Sequence, residues 1–179
     1  MNPSPIHKVK LIPVDEEVLD QLVEVATKDA RANEVTPPMS PGADWTPVRI
    51  AWLRAFHRER RQGVPGPMGE ATWAIVSDGL VVGSMRLKAT GTAQAAKTGI
   101  WLAQGERGRG TGIRAMAEVL EEAASLGFRA LRAETTADNH GALGLLNHLG
   151  FELEQADDEG RIRATRALPQ ADATGASPS

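Results

Sequence analysis

Arg107-Gly108-Arg109-Gly110-Thr111-Gly112 is the segment whose residue types point most directly to chemistry. Three glycines in its last five positions remove Cβ atoms where main chain must come close to something. A helical apolar period follows at once, so unpaired N–H groups and a partial positive charge face the turn. A phosphate or pyrophosphate suits such a place, and Arg107, Arg109 and Arg114 would add cations to it. The plainer alternative is a solvated turn with glycines at positive φ. The segment is not a P-loop, because no Gly-Lys-Ser/Thr follows. Gly110-Thr111-Gly112-Ile113-Arg114-Ala115 fits a G-x-G-x-x-A dinucleotide pattern. However, about six residues separate it from the preceding strand, where a dinucleotide fold needs a tight turn.

Other chemistries are closed by composition. The 179 residues include no Cys and no Tyr, which removes thiolate nucleophiles, thiolate metal sites, disulfides and phenolic acids. His140 and His148 have no standard metal spacing, so no metal is expected. The net charge of −3 argues against a chain that coats nucleic acid or an anionic membrane. No apolar run approaches the ~20 residues that span a bilayer, and Met1 to Lys10 carry no signal-peptide pattern. A cytoplasmic protein, monomer or homodimer, is expected. The 41% hydrophobic content allows a real core.

The elements that must position the turn follow from periodicity and punctuation. Val9 to Val14 reads as a strand, and Asp15 caps a helix with Val18, Leu19, Leu22, Val25 and Ala26 on one face. Residues 33–46 read as a long loop. Thr46-Pro47 opens a second helix with Val48, Ala51, Trp52, Ala55 and Phe56 inward. The Arg58-Glu59-Arg60-Arg61 run reads as a solvated face. After a second Pro/Gly loop, Ala71 to Val76 and Leu80 to Lys88 form a hairpin around Ser77-Asp78-Gly79. Ala95 to Ala103 is a strand, Gly110 to Leu126 a helix, Arg129 to Thr136 a strand and His140 to Leu149 a short helix. Phe151 to Glu154 and Arg161 to Leu168 close as a hairpin. The order β-α-α-β-β-β-α-β-α-β-β predicts an α+β (mixed α/β) fold with a central mixed sheet and one right-handed crossover. Residues 1–168 are expected to form a single domain, and 169–179, small and turn-forming, a flexible tail.

Two motifs in this order resemble one family. Arg107-x-x-Gly110-x-Gly112 is similar to the Arg/Gln-x-x-Gly-x-Gly/Ala pyrophosphate loop of the GNAT superfamily of acetyl-CoA-dependent N-acetyltransferases. Asn139-x-x-Ala142-x-x-Leu145, followed by Gly150-Phe151, is similar to a second segment of the same family. The resemblance covers about residues 8–168. Val82-Gly83-Ser84 and Gly99-Ile100-Trp101-Leu102 are similar to the branch that acetylates ribosomal-protein N-termini and small amines.

The resemblance implies acetyl-CoA as co-substrate, a small-molecule or peptide amine as acceptor, and direct attack of the amine on the thioester. Ile100, Trp101 and Leu102 would pair through main chain with pantetheine, and an N–H near Leu102 would serve as the catalytic donor to the thioester carbonyl. Arg107 with Gly108, Arg109, Gly110, Thr111, Gly112 and Ile113 would wrap the pyrophosphate, and Asn139 would bond the cofactor arm. Glu134, five residues before Asn139, would be the general base, with a structural strand carboxylate as its plainer role. Glu70 and His57 are the alternatives, and His57, beside Arg58 on a helix, is expected at the surface. Trp45, Trp52 and Met68 are candidates for an acceptor pocket framed by the two Pro/Gly loops. The family's thiolate acid is a Tyr seven residues after the motif Asn, a position held here by Leu146. His140, His148 or water would have to replace it. A non-catalytic acyl-CoA-binding or sensor module is therefore the alternative function, and a nucleotide-binding regulator a third.

Overall fold

Asp15 Oδ1 accepts from the Val18 N–H at 2.8 Å and so starts α1 (Glu16–Asp29) directly after β1 (Val9–Pro13). This is a computed structural model, and it describes residues 7–39, 41–92 and 94–170. Of the expected tail, residues 171–179 lie outside the described residues. The next turn, α2 (Ala32–Val35), forms inside the stretch expected to be loop. Two local causes account for it. The Glu34 carboxylate reaches back to the Arg31 N–H at 3.4 Å, and Ala32 is fully buried. Thr46 caps α3 (Pro47–Glu59), with proline in the first turn.

The sheet is completed by β2 (Glu70–Ser77), β3 (Leu80–Ala89), β4 (Ala95–Leu102), β5 (Ala130–Thr136), β6 (Glu152–Gln155) and β7 (Arg161–Ala167). Its seven strands run in the order β1-β2-β3-β4-β5-β7-β6. Among the described residues only β4 and β5 are parallel, joined by the crossover helix α4 (Thr111–Ser125). The helix α5 (His140–His148) follows β5. Thus the expected mixed sheet and element order hold, with α2 as the addition.

Strand alternation divides the core in two. Met85, Leu87, Ala96, Leu131 and Ala133 pack with Met116, Val119 and Leu120 of α4 and Leu146 of α5. Ala74, Val76 and Val81 pack with Leu19, Leu22 and Ala26 of α1 and Leu53 of α3. Each Leu, Val or Met among them contributes about 1.5–3 kcal/mol when fully buried.

The inward face of α3 differs from the expected one by about one residue's rotation. Arg49, Leu53 and His57, four apart, are buried, whereas Val48 is 62% exposed. The polar members are tolerated because they find partners. Arg49 donates to Thr36 Oγ1 and to Gly42 O, each at 3.0 Å, and so ties the 36–46 segment to α3.

Candidate active site

β4 and β5 pair only at Ala95–Lys97 against Ala130–Arg132, and then part. Beyond that point β4 stays bonded to β3 as far as Leu102, and β5 to β7 as far as Thr136. Main-chain direction alternates along a strand. The Ala103 N–H donates to Val82 O at 2.8 Å, so Gly99 and Trp101 also turn their main chain toward β3. Ile100 and Leu102 have the opposite parity and present N–H and C=O to the open gap. Of the three residues expected to offer main chain there, two do. Trp101 instead turns its indole to the α1–α3 side of the sheet.

The glycine turn stands at the wide end of this gap. Gly108 and Gly110 have φ of +74° and +83°, and a Cβ on either would meet no atom within 4 Å. The left-handed turn therefore has open space in front of it. Gly110 occupies the cap position of α4 without any side-chain cap, so the first N–H groups of α4, at Thr111, Gly112 and Ile113, remain for another acceptor. Gly112 serves a different need, since a Cβ there would stand 2.8 Å from Leu145 Cδ1 of α5.

The arginines expected to meet phosphate are engaged elsewhere. Arg107 Nη2 donates to Glu34 Oε2 at 2.8 Å and to Leu102 O at 3.1 Å. Arg109 Nη1 donates to Glu106 Oε1 at 3.3 Å, and Arg114 to His7 O. The Thr111 hydroxyl is also used, bonding Glu106 Oε2 at 3.1 Å. What the turn offers an anion is main chain.

Asn139 caps α5 through Oδ1, which accepts from the Ala142 N–H at 3.1 Å. Its amide hydrogens have no partner among the described residues. Leu146 is buried in the core beneath α5, while His140 and His148 are exposed.

On the opposite face of the sheet, a cavity of about 380 Å³ lies between α2–α3 and strands β3–β4. Trp52, Phe56 and Trp101 are its aromatic walls, and His57, Arg86 and Glu34 its polar groups. Trp52 and Phe56 stack with centroids 5.0 Å apart. The segment near residues 34–37 frames it, as expected of the first Pro/Gly loop. The second loop does not, since Gly63 to Pro65 line a separate cleft beside β2. Met68 is exposed, and Trp45 bonds Ala30 O through Nε1 at 2.9 Å.

Below the cavity lies a charged cluster that strand and helix build jointly. Glu70 is 1% exposed, and its carboxylate accepts from Arg60 Nε at 2.6 Å and from Arg86 Nη1 at 3.1 Å. Arg60 also covers the Phe56 ring at 3.8 Å, so it leaves the solvated face expected for its run. His57, expected at the surface, is 1% exposed and bonds Thr72 Oγ1 through Nδ1 at 2.9 Å. Burial, reinforced by the positive charges of Arg60 and Arg61, pushes its pKa down to about 4. At neutral pH it is an uncharged imidazole.

Glu134 lies on the same face as the cavity, two residues past the point where β5 leaves β4. It is level with Gly99 across the gap, and Lys97 Nζ donates to its Oε1 at 3.1 Å. It is exposed in a shallow basin lined only by strand residues, including Arg132 and Arg163. The structure thus brings Glu134, Ile100 and Leu102 to one gap. Arg86, Glu34 and Arg49 were missed by sequence reading. The available signal was the pair of polar residues Arg49 and His57, each four residues from Leu53 on one face of α3, a pattern that needs buried partners.

The sequence profile of a family described as Acetyltransferase (GNAT) domain matches residues 8–152. No curated protein matches the chain. Among solved structures, RimL, a ribosomal L7/L12 alpha-N-protein acetyltransferase in complex with coenzyme A, is 17% identical, with a TM-score of 0.69 over 93% of this chain and 97% of that one. RimJ of Mycobacterium smegmatis, in complex with CoA-disulfide, is 22% identical, with a TM-score of 0.68 over 91% and 85%. The microcin C7 self-immunity acetyltransferase MccE, in complex with acetyl-CoA and AMP, is 14% identical, with a TM-score of 0.68 over 90% and 93%. These likenesses are of fold.

Proposed function

Because this chain belongs to the GNAT acetyltransferase family, we propose that it moves an acetyl group from acetyl-CoA to a primary amine by direct attack. The observation that carries the reading is the parting of β4 from β5, which leaves the Ile100 main chain and the Leu102 N–H without a strand partner beside an uncapped helix start, the Leu102 carbonyl being held by Arg107. The residues present fit the co-substrate. The N–H groups of Thr111 to Ile113 can donate to a pyrophosphate without any side chain intervening. The amide-like pantetheine arm matches the N–H and C=O of Ile100 and the N–H of Leu102, and the free amide hydrogens of Asn139 supply a further donor. Acetyl-CoA supplies the activated thioester.

The chain's own work is then positional and electrostatic. The Leu102 N–H is a preorganised donor for the charge that develops on the carbonyl oxygen. Glu134, level with Gly99 and on the acceptor face, takes the proton from the incoming ammonium, directly or through a water. The amine enters from the cavity beside Trp101, and the reaction takes place in the cytoplasm. The departing thiolate is protonated by water, since Leu146 is sealed in the core where the family places its acid. That same burial supports a second reading, a non-catalytic acyl-CoA-binding module.

Thiol release from acetyl-CoA with a panel of primary amines tests the proposal. Turnover with at least one amine is expected. Tight acetyl-CoA binding without turnover of any amine would leave the binding-module reading in its place.

A further inference from the structure

Arg86 and Gly99 are cross-strand partners on β3 and β4. The guanidinium lies across the glycine, because a Cβ at residue 99 would stand 2.7 Å from Arg86 Nε and 3.4 Å from Nη2. One end of the guanidinium is fixed, with Nη1 on the buried Glu70 carboxylate at 3.1 Å. The Nε–Nη2 edge has no partner among the described residues, and Arg86 lines the cavity with its side chain 44% exposed. A planar fork held at one end and free at the other is the geometry that takes a carboxylate through two parallel hydrogen bonds.

The surrounding charges favour an anion. Arg60 and Arg86 share the carboxylate of Glu70, and the only other carboxylate paired with either of them among the described residues is the exposed Glu59, 3.5 Å from Arg60, so no carboxylate but Glu70 faces the Arg86 guanidinium. The carboxylate that lines the cavity, Glu34, is held by Arg107. His57 is neutral at physiological pH. Next to the fork stand the apolar walls Trp52, Phe56 and Trp101.

We propose that the acceptor is a free α-amino acid with an apolar side chain, its carboxylate on the Arg86 fork and its side chain among the three aromatic rings. This rests on the acetyl-transfer reading above. The fork lies over Gly99, and the next residue, Ile100, turns its main chain into the gap. One strand residue rises about 3.3 Å. An α-amine, two bonds from its carboxylate carbon, therefore falls between the fork and the main-chain donors. An acceptor lacking the carboxylate leaves the fork unpaired and loses the orientation it provides.

The test compares leucine, methionine, phenylalanine and tryptophan with their decarboxylated amines as acceptors, by thiol release from acetyl-CoA. For at least one pair the amino acid is expected to be favoured tenfold or more in kcat/KM. That ratio is expected to fall toward unity in Arg86→Gln and Gly99→Ala, with Arg86→Lys, which keeps a charge beside Glu70, in between. Calorimetry with 3-phenylpropionate and 3-indolepropionate reads the site without chemistry. Binding of at least one of them by wild type, weakened tenfold or more in Arg86→Gln, is expected. Equal use of acid and amine in every pair, as for an enzyme of peptide N-termini, would overturn the proposal, as would a preference that survives Arg86→Gln. If no amine is turned over, Arg86-dependent binding still supports the carboxylate site and only the transfer reading falls. Absence of both turnover and carboxylate binding sinks both.

Discussion

The two sides of the β4–β5 gap are built from different material. On the α4 side the groups that meet a ligand are main chain: Ile100, Leu102 and the first turn of α4. On the α3 side they are side chains, Arg86, His57, Trp52 and Trp101, drawn from one helix and two strands. Main-chain donors keep their geometry whatever residue carries them, so they suit a ligand that never changes. Side chains can be exchanged without refolding the sheet, so they suit the partner that varies. The contrast predicts that the donor side is broken by steric or charge intrusion, and the acceptor side by changes in polar chemistry.

The largest effect is expected where the two sides meet. Glu134→Gln keeps the shape of the side chain, so acetyl-CoA affinity should hold while turnover at neutral pH falls by about 10²–10⁴-fold, the usual cost of losing a general base. Raising the pH should restore part of the rate, because free amine then forms unaided. A pH–rate profile checks both, and an unchanged rate would move the base to another group on the acceptor face. Next is Gly110→Asp. Asp tolerates the left-handed region better than most residues, and nothing lies within 4 Å of the new Cβ. Folding should survive, yet a carboxylate now competes for the helix-start N–H groups and repels pyrophosphate. Losing two charge-assisted bonds of about 1.5–3 kcal/mol each weakens CoA about 10²-fold or more by calorimetry. Gly110→Asn, of the same shape without the charge, should lose much less.

The same contrast explains what was legible in the sequence. A main-chain site is written in glycines, here three within five consecutive residues, so the turn at Gly108–Gly112 and the helix after it could be read directly. The strand order followed from apolar runs and turn residues for the same reason. The acceptor side depends on Glu34, His57, Glu70 and Arg86, which no local pattern joins. Periodicity also misled there. Val48, Ala51 and Ala55 mark an apolar stripe on α3, but the helix turns a neighbouring stripe inward, where the Arg49 Nη1 and Nη2 groups and His57 Nδ1 find partners on Thr36, Gly42 and Thr72, while Arg49 Nε has none among the described residues. Arg107 looked like a phosphate ligand because sequence distance hid Glu34 from it.

The acceptor side should also be the pH-sensitive one. His57 is held near a pKa of about 4 in the folded protein against 6.5 ordinarily. As the pH falls below that ordinary value the unfolded chain takes up the proton first, so stability drops progressively until the folded pKa is reached. By pH 5 the loss is about 2 kcal/mol. Urea titrations at pH 7 and pH 5 should show this difference in wild type and lack most of it in His57→Gln. A wild-type drop that persists unchanged in the variant would assign it to other groups.

The smallest effect tests a residue that belongs to both descriptions. Asn139 is a side chain acting on the main-chain side, with Oδ1 spent on the Ala142 N–H. Asn139→Ala removes the cap and should cost about 1 kcal/mol of stability. Asn139→Asp keeps an oxygen for that N–H and adds charge where the start of α5 favours it, so thermal stability should be at least retained. The Asp side chain cannot donate, however. If the amide hydrogens hold the pantetheine arm, acetyl-CoA affinity falls by one net hydrogen bond, about 0.5–1.5 kcal/mol, or roughly threefold to tenfold. The two substitutions therefore separate two roles of one side chain: melting temperature responds to Ala and acetyl-CoA affinity to Asp. An Asp variant that binds acetyl-CoA as wild type does would confine Asn139 to capping. The donor side would then consist of main chain alone.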